Sequence, residues 1–187
     1  VQSSRRSATY GDVIAAPEHL TAELIDGELF LRSRPAVRHI RTAMRMFRSL
    51  GSRDDGDDPA GWVLGSEVEL HLGHPDPRSL VLVPDASGWR SERVPEIEHA
   101  VAVEVVPDWV CEVLSPGNAR HDRLTKMNRY AALGVAWAWL VDPAERLLEV
   151  YELVGGVWTR VQTGGPDDTL VVAPFGVEVK LRGWFGA

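Results

Sequence analysis

The segment from residue 108 to residue 142 constrains the fold most. It reads as strand, helix, strand. "DWVCEVLS" is a short apolar run, bounded by Pro107 before it and by Pro116 and Gly117 after it, which is the pattern of a buried strand. "NARHDRLTKMNRYAALG" then places Leu124, Met127 and Ala131 at i, i+3 and i+7, with Asn118 as N-cap and Gly134 as stop, so the spacing predicts a helix. "VAWAWLVDP" is a second strand. Together these make a βαβ-like unit, and the hairpins around it set the class as α/β with a mixed β-sheet flanked by helices.

Upstream, "TAELIDGELFLRS" brackets Asp26-Gly27 with alternating apolar residues and predicts a β-hairpin, because both turn positions need positive φ. After Pro35 the period changes. Ile40, Ala43, Met44, Phe47 and Leu50 share one helical face, and Gly51 stops the helix. Arg38, Arg41, Arg45 and Arg48 lie within an arc of roughly 80° on the opposite face. "WVLGSEVELHL" and "SLVLVPDAS" read as strands, and the tail from Gly156 reads as short strands punctuated by Gly and Pro. The acidic stretch at 53–61 reads as a solvated loop without calcium-loop spacing. Residues 1–20 form an N-terminal extension and residues 21–187 a single domain.

Composition narrows the functional class. The chain has 187 residues, of which 44% are hydrophobic and 25% charged, enough for one sizeable core. It has no run of the roughly 20 apolar residues that a membrane span needs, and the expected setting is cytoplasmic, with no membrane partner. The net charge of -7 argues against indiscriminate coating of nucleic acid. Residues 1–53 nevertheless hold nine Arg against five acidic residues, so a basic surface can form locally. The single cysteine, Cys111, lies inside an apolar run and reads as core filler, which leaves neither a disulfide framework nor a thiolate metal cluster.

Two carboxylates stand out. Strand alternation puts Trp109, Cys111 and Val113 on one face and Val110, Glu112 and Leu114 on the other, so Glu112 is an ionisable group in an apolar strand. A buried carboxylate has to be neutral, paired with a cation, or bound to a metal. Asp85, after "LVLVP", ends another apolar strand. If the two converge, they offer oxygen ligands for Mg²⁺ or Mn²⁺, an ion that polarises a phosphoryl oxygen and acidifies bound water. Lys126 could reach the same place from the helix. Asp122, Lys126 and Tyr130 at i, i+4 and i+8 share one helix side, where Asp122 could hold Lys126 by a salt bridge. On spacing alone the trio also fits an ordinary exposed helix pair beside a core-edge tyrosine, and Glu112 could equally be paired with an arginine.

"ELIDGEL", "VRHIRTAM", the "VPD" strand end, "PDWVCEVLSPGNARHDRLTKMNRYAALGV" and "AWLVDPAERLLEVYEL" together resemble, in order and spacing, the Uma-type restriction endonuclease family of the PD-(D/E)XK nuclease superfamily. The resemblance runs from about residue 21 to the C-terminus. It implies a restriction-endonuclease-like fold, a metal-dependent site that cuts phosphodiester bonds, and a homodimer. By the resemblance, Asp85 is the aspartate of the PD signature, Glu112 the second acid, and Glu23 the N-terminal acidic residue. The superfamily lysine would fall at Leu114, and in the Uma-type pattern Lys126 on the following helix replaces it, with Asp122, Tyr130 and His39 in support. Val113 would add its carbonyl.

Other readings stand beside these. Glu23 could be an exposed hairpin charge, His39 a structural histidine and the arginine ridge a solvated helix face. Otherwise the ridge would grip phosphates, with DNA ahead of RNA as substrate. At the level of function, the alternatives are a non-enzymatic nucleic-acid- or protein-binding module on the same scaffold and a hydrolase of small phosphoesters.

Overall fold

The computed structural model describes residues 6–33, 35–51, 61–94 and 100–186, so most of the acidic 53–61 stretch lies outside the described residues. The βαβ unit forms as its pattern predicts. Strands β7 (Trp109–Val113) and β8 (Trp137–Asp142) pair in parallel. The helix between them is continuous but not uniform: α3 (Ala119–His121), a π-helical turn (Asp122–Lys126) and α4 (Met127–Leu133), closed by Gly134 at φ 79°. Only a residue without a β-carbon takes that left-handed cap at no steric cost.

Around this unit a six-stranded sheet runs in the order β10-β9-β8-β7-β6-β3, formed by β3 (Trp62–Ser66), β6 (Ala86–Arg90), β9 (Leu147–Val154) and β10 (Val157–Gly164) with β7 and β8. All its other pairings are antiparallel, so the sheet is mixed. The hairpin of β1 (Leu20–Ile25) and β2 (Glu28–Ser33) turns through Asp26 (φ 54°) and Gly27 (φ 73°), the two positive values that its sequence requires. It joins a second sheet, β2-β1-β5-β4, with β4 (Leu70–His71) and β5 (Val81–Leu82). The run "WVLGSEVELHL" is therefore not one strand. Glu67 takes φ 52°, β3 stops at Ser66, and β4 begins in the other sheet.

The large sheet separates two cores. On one face, α2 (Val37–Leu50), the hairpin of β11 (Thr169–Val172) and β12 (Val177–Lys180), and α5 (Arg182–Phe185) cover Trp109, Cys111, Val113 and Trp139. The end of the tail is thus helical where the pattern predicts a strand. On the other face, α4 and the second sheet cover Val110, Leu114, Ala138 and Leu140. The segment before β1 is packed down as well: α1 (Tyr10–Ile14) buries Val13 against Leu24 and Val81.

Helix α2 corrects one expectation. Its buried residues are Thr42, Met46 and Leu50, whereas Ile40 and Met44 are exposed at 43% and 62%. The apolar stripe is rotated away from the core because α5 and the carbonyl of Trp184 occupy the other side, where Thr42 and Arg45 donate to that oxygen. Cys111 is buried, with burial pushing its thiol pKa well up, as a core residue requires.

Candidate active site

Glu112 is 1% exposed on the same face of β7 as Val110 and Leu114. A carboxylate there needs partners, and the helix after β7 supplies them. Lys126 is fully buried, and its Nζ lies 2.7 Å from Glu112 Oε1 and 2.9 Å from Glu23 Oε1. It also donates to the Val83 carbonyl at 3.0 Å. Tyr130 donates to Glu112 Oε1 at 2.5 Å. Asp122, Lys126 and Tyr130 all point inward and are at most 1% exposed, so the i, i+4, i+8 ridge is a buried one.

One expected contact is absent. Asp122 does not bridge to Lys126, and its Oδ1 has no hydrogen-bond partner. The ammonium is drawn instead to Glu23 and Glu112, which approach it from β1 and β7.

Asp85 sits between β5 and β6. Its Oδ2 accepts from the Val113 amide at 2.7 Å, which fastens it to the residue directly after Glu112. Its Oδ1 is 3.1 Å from His39 Nε2. Thus α2, on one face of the sheet, reaches the same carboxylate that β7 holds from within.

Glu23 belongs to this cluster and is not an exposed hairpin charge. It is fully buried and accepts from the Val83 amide at 2.7 Å. Arg32 was not singled out from the sequence, yet its Nε is 3.2 Å from Glu23 Oε2 and it donates to the Val83 carbonyl at 2.6 Å. A signal for it exists: across a two-residue turn Glu23 faces Phe30 and Thr21 faces Arg32, so Glu23 and Arg32 are diagonal neighbours on one hairpin face. His121, also missed, places Nε2 3.9 Å from Glu23 Oε2.

Charge at the site is out of balance. Glu23, Asp85, Glu112 and Asp122 face two fixed cations, Arg32 and Lys126. Burial pushes the Glu112 carboxyl up, Lys126 opposes this, and Asp122 and Asp85 add to it, for a pKa of about 8. Burial likewise raises Asp122 to about 6. For Glu23, burial acts upward too, but Lys126 and Arg32 outweigh it and hold the group below its ordinary value. Asp85 is lowered in the same way: burial pushes it up, and the His39 hydrogen bond together with the charges of Lys126 and Arg32 brings it below its ordinary value. Lys126 is raised because Glu112 and Glu23 overcome its desolvation.

Among the described residues, Glu112 Oε2 and Asp122 Oδ1 are buried acceptors without a donor, whereas Glu23 Oε2 is held by its ion pair with Arg32. Unpaired carboxylate oxygens in a cluster short of positive charge fit a divalent cation. Asp85 and Glu112, joined through the backbone of Val113, are the residues that could hold one. Among the described residues no group of three His, Cys, Asp or Glu side chains forms a metal cluster, so backbone and water would complete the shell.

The arginine ridge divides. Arg38, Arg41 and Arg48 are exposed, whereas Arg45 is half-buried and donates to the Trp184 carbonyl at 3.3 Å, which removes it from a free phosphate-binding row. Among the described residues no helix is long and apolar enough to cross a membrane.

No curated protein matches the sequence. A solved structure does match the fold, with a TM-score of 0.72 at 22% identity over 95% of this chain and 97% of the other: the crystal structure of "a putative nuclease belonging to DUF820" from Anabaena variabilis ATCC 29413. The architecture is accordingly α/β and restriction-endonuclease-like. A family described as "Putative restriction endonuclease" matches residues 9–182, which takes in α1, the hairpin with Glu23, both strand-borne acids and the helix that carries Lys126. By that span, this chain belongs to the Uma2 family.

Proposed function

We propose that this protein is a metal-dependent endonuclease that hydrolyses phosphodiester bonds in DNA, with Asp85 and Glu112 holding Mg²⁺ or Mn²⁺. The observation that carries the proposal is the buried excess of carboxylates, with Glu112 Oε2 unpartnered and Asp85 tied to the amide of the next residue, Val113. Such an ion, when bound, polarises a phosphoryl oxygen and lowers the pKa of a coordinated water. The chain's own residues do the rest. Lys126 assists the attacking water and offsets developing negative charge, held for that task by Glu23 and the Val83 carbonyl. Tyr130 fixes the rotamer of Glu112, and His39 that of Asp85. Val113 would add its carbonyl.

Supercoiled DNA with Mg²⁺ or Mn²⁺ tests this. Glu112→Gln should lower nicking at least about a hundredfold while circular dichroism and the melting temperature show a folded protein. Cutting that persists in the variant, or in EDTA, contradicts the assignment. Metal binding gives a second readout: Mn²⁺ should raise the melting temperature of the wild type and leave that of Asp85→Asn unchanged. The homodimer implied by the resemblance is checked by light scattering, where a monomeric mass removes it.

A binding module on the same scaffold draws on one observation. The Lys126 ammonium is already satisfied by two carboxylates and a carbonyl. In that case DNA affinity survives Asp85→Asn and no metal heat appears by calorimetry.

A further inference from the structure

Beside Asp85 a cleft of about 680 Å³ opens between α2, the chain entering β1 and the end of β3. That is within the range of small-molecule sites. Its α2 wall is the displaced apolar stripe: Ile40, Met44 and Phe47 line the cleft, which accounts for the exposure of the first two. From the residue directly after β3 and from the chain before β1 come two carboxylates, Glu67 and Glu18.

Glu67 stands at a costly position. Its φ of 52° is one that glycine adopts freely and a residue with a β-carbon does not. Its amide donates to the Asp85 carbonyl at 3.4 Å, and the Ser66 hydroxyl donates to the same oxygen at 3.3 Å. The strained residue is therefore tied to the backbone of a proposed metal ligand. Its side chain is exposed at the cleft.

The carboxylates line the cleft, whereas the α2 arginines lie outside its lining. Around α2, Arg48 and Arg41 follow Met44 by roughly 40° and 60°, and both are exposed. A phosphate would be repelled by Glu18 and Glu67 in the cleft and attracted by the arginines at its rim. A flat ring with N–H donors has the opposite preference: apolar faces for Ile40, Met44 and Phe47, and donors for the carboxylates. A phosphate outside and a ring inside, joined by a sugar, make one unpaired nucleotide.

Resting on the nuclease reading, we propose that this cleft is the base subsite for one unpaired nucleotide beside the cut, with Glu67 accepting from the base. Guanine is the preferred occupant, since its Watson–Crick edge presents two adjacent N–H donors to one carboxylate. A paired base has that edge engaged and does not enter.

Fluorescence anisotropy tests this with labelled thymine octamers carrying a single central guanine, adenine or cytosine, in EDTA so that no cutting occurs. The guanine octamer should bind about tenfold more tightly than the all-thymine one, and more tightly than its own duplex. Glu67→Gly, which suits the backbone, should melt no lower than the wild type and bind all octamers alike. Glu67→Gln keeps the side-chain shape and should lose the preference too. Equal affinities in the wild type, a duplex that binds as tightly, or a guanine preference that survives both variants overturns the subsite. Absence of cutting with Mg²⁺ or Mn²⁺ overturns the nuclease reading alone, because the binding result is obtained without either ion.

Discussion

The two faces of β7 are built from adjacent residues and solve opposite problems. Trp109, Cys111 and Val113 enter a core of aromatic rings, where Trp139 meets Trp109 edge-on at 5.0 Å and Phe175 at 5.4 Å. Val110, Glu112 and Leu114 face α4, and the same side carries Lys126, Tyr130 and Glu23 within hydrogen-bonding reach. The dry face gains free energy from apolar burial. The ionic face spends part of that gain to hold charges in a fixed arrangement, since buried ion pairs return little net stability. A strand locked from one side can tolerate a costly site on the other.

Four substitutions or conditions sharpen or break this contrast. The largest effect is expected on the dry face: Trp139→Ala removes the ring that touches Trp109, Phe175 and Trp184 and should cost about 3–5 kcal/mol in urea denaturation. A loss under about 1 kcal/mol would mean that this core is not what holds the strand.

On the ionic face, Lys126→Met keeps much of the volume but strips Glu23 and Glu112 of their shared cation. It should destabilise by about 3–4 kcal/mol at neutral pH. Lys126→Met with Glu112→Gln should recover part of that loss, and a double variant that merely sums the two losses would show that the pair is not coupled.

Acidity separates the faces further. Glu112, raised to about 8, and Asp122, raised to about 6, bind protons more tightly folded than unfolded. Their contribution is complete below about pH 4, the ordinary carboxylate value, and is lost as pH rises through 6 and then 8. Glu23 and Asp85 are lowered and act oppositely, losing their contribution as pH falls below the ordinary carboxylate range. Without metal, the urea midpoint should therefore decline from pH 6 to pH 9, and Glu112→Gln should flatten that decline. A midpoint that climbs over this interval refutes the assignment. The smallest effect is Glu67→Gly, a gain of up to about 1 kcal/mol from relief of a left-handed backbone.

The local features were legible because they depend on near neighbours. Asp26-Gly27 demands its turn, Gly134 its cap, and the apolar runs of β7 and β8 their burial. Asp85, Glu112 and Lys126 could be picked out as odd charges at strand ends and on one helix side, and the family resemblance put Glu23 and His39 beside them. Arg32 was readable from the hairpin register, but only once Glu23 was known to point inward.

What stayed hidden depends on who packs against whom. Periodicity places the apolar stripe of α2, but only the docking of α5 decides that Ile40 and Met44 open onto a cleft and that Arg45 binds a carbonyl. An i, i+4 spacing offers Asp122 to Lys126, yet Glu23 and Glu112 arrive from distant strands and take the ammonium. The sequence by itself determined the strand–helix–strand unit, the hairpin and the odd carboxylates, since each follows from steric and solvation preferences within a few residues. Tertiary structure alone decided the partners of each charge, because a buried ion's free energy is set by whatever the fold brings within about 4 Å of it.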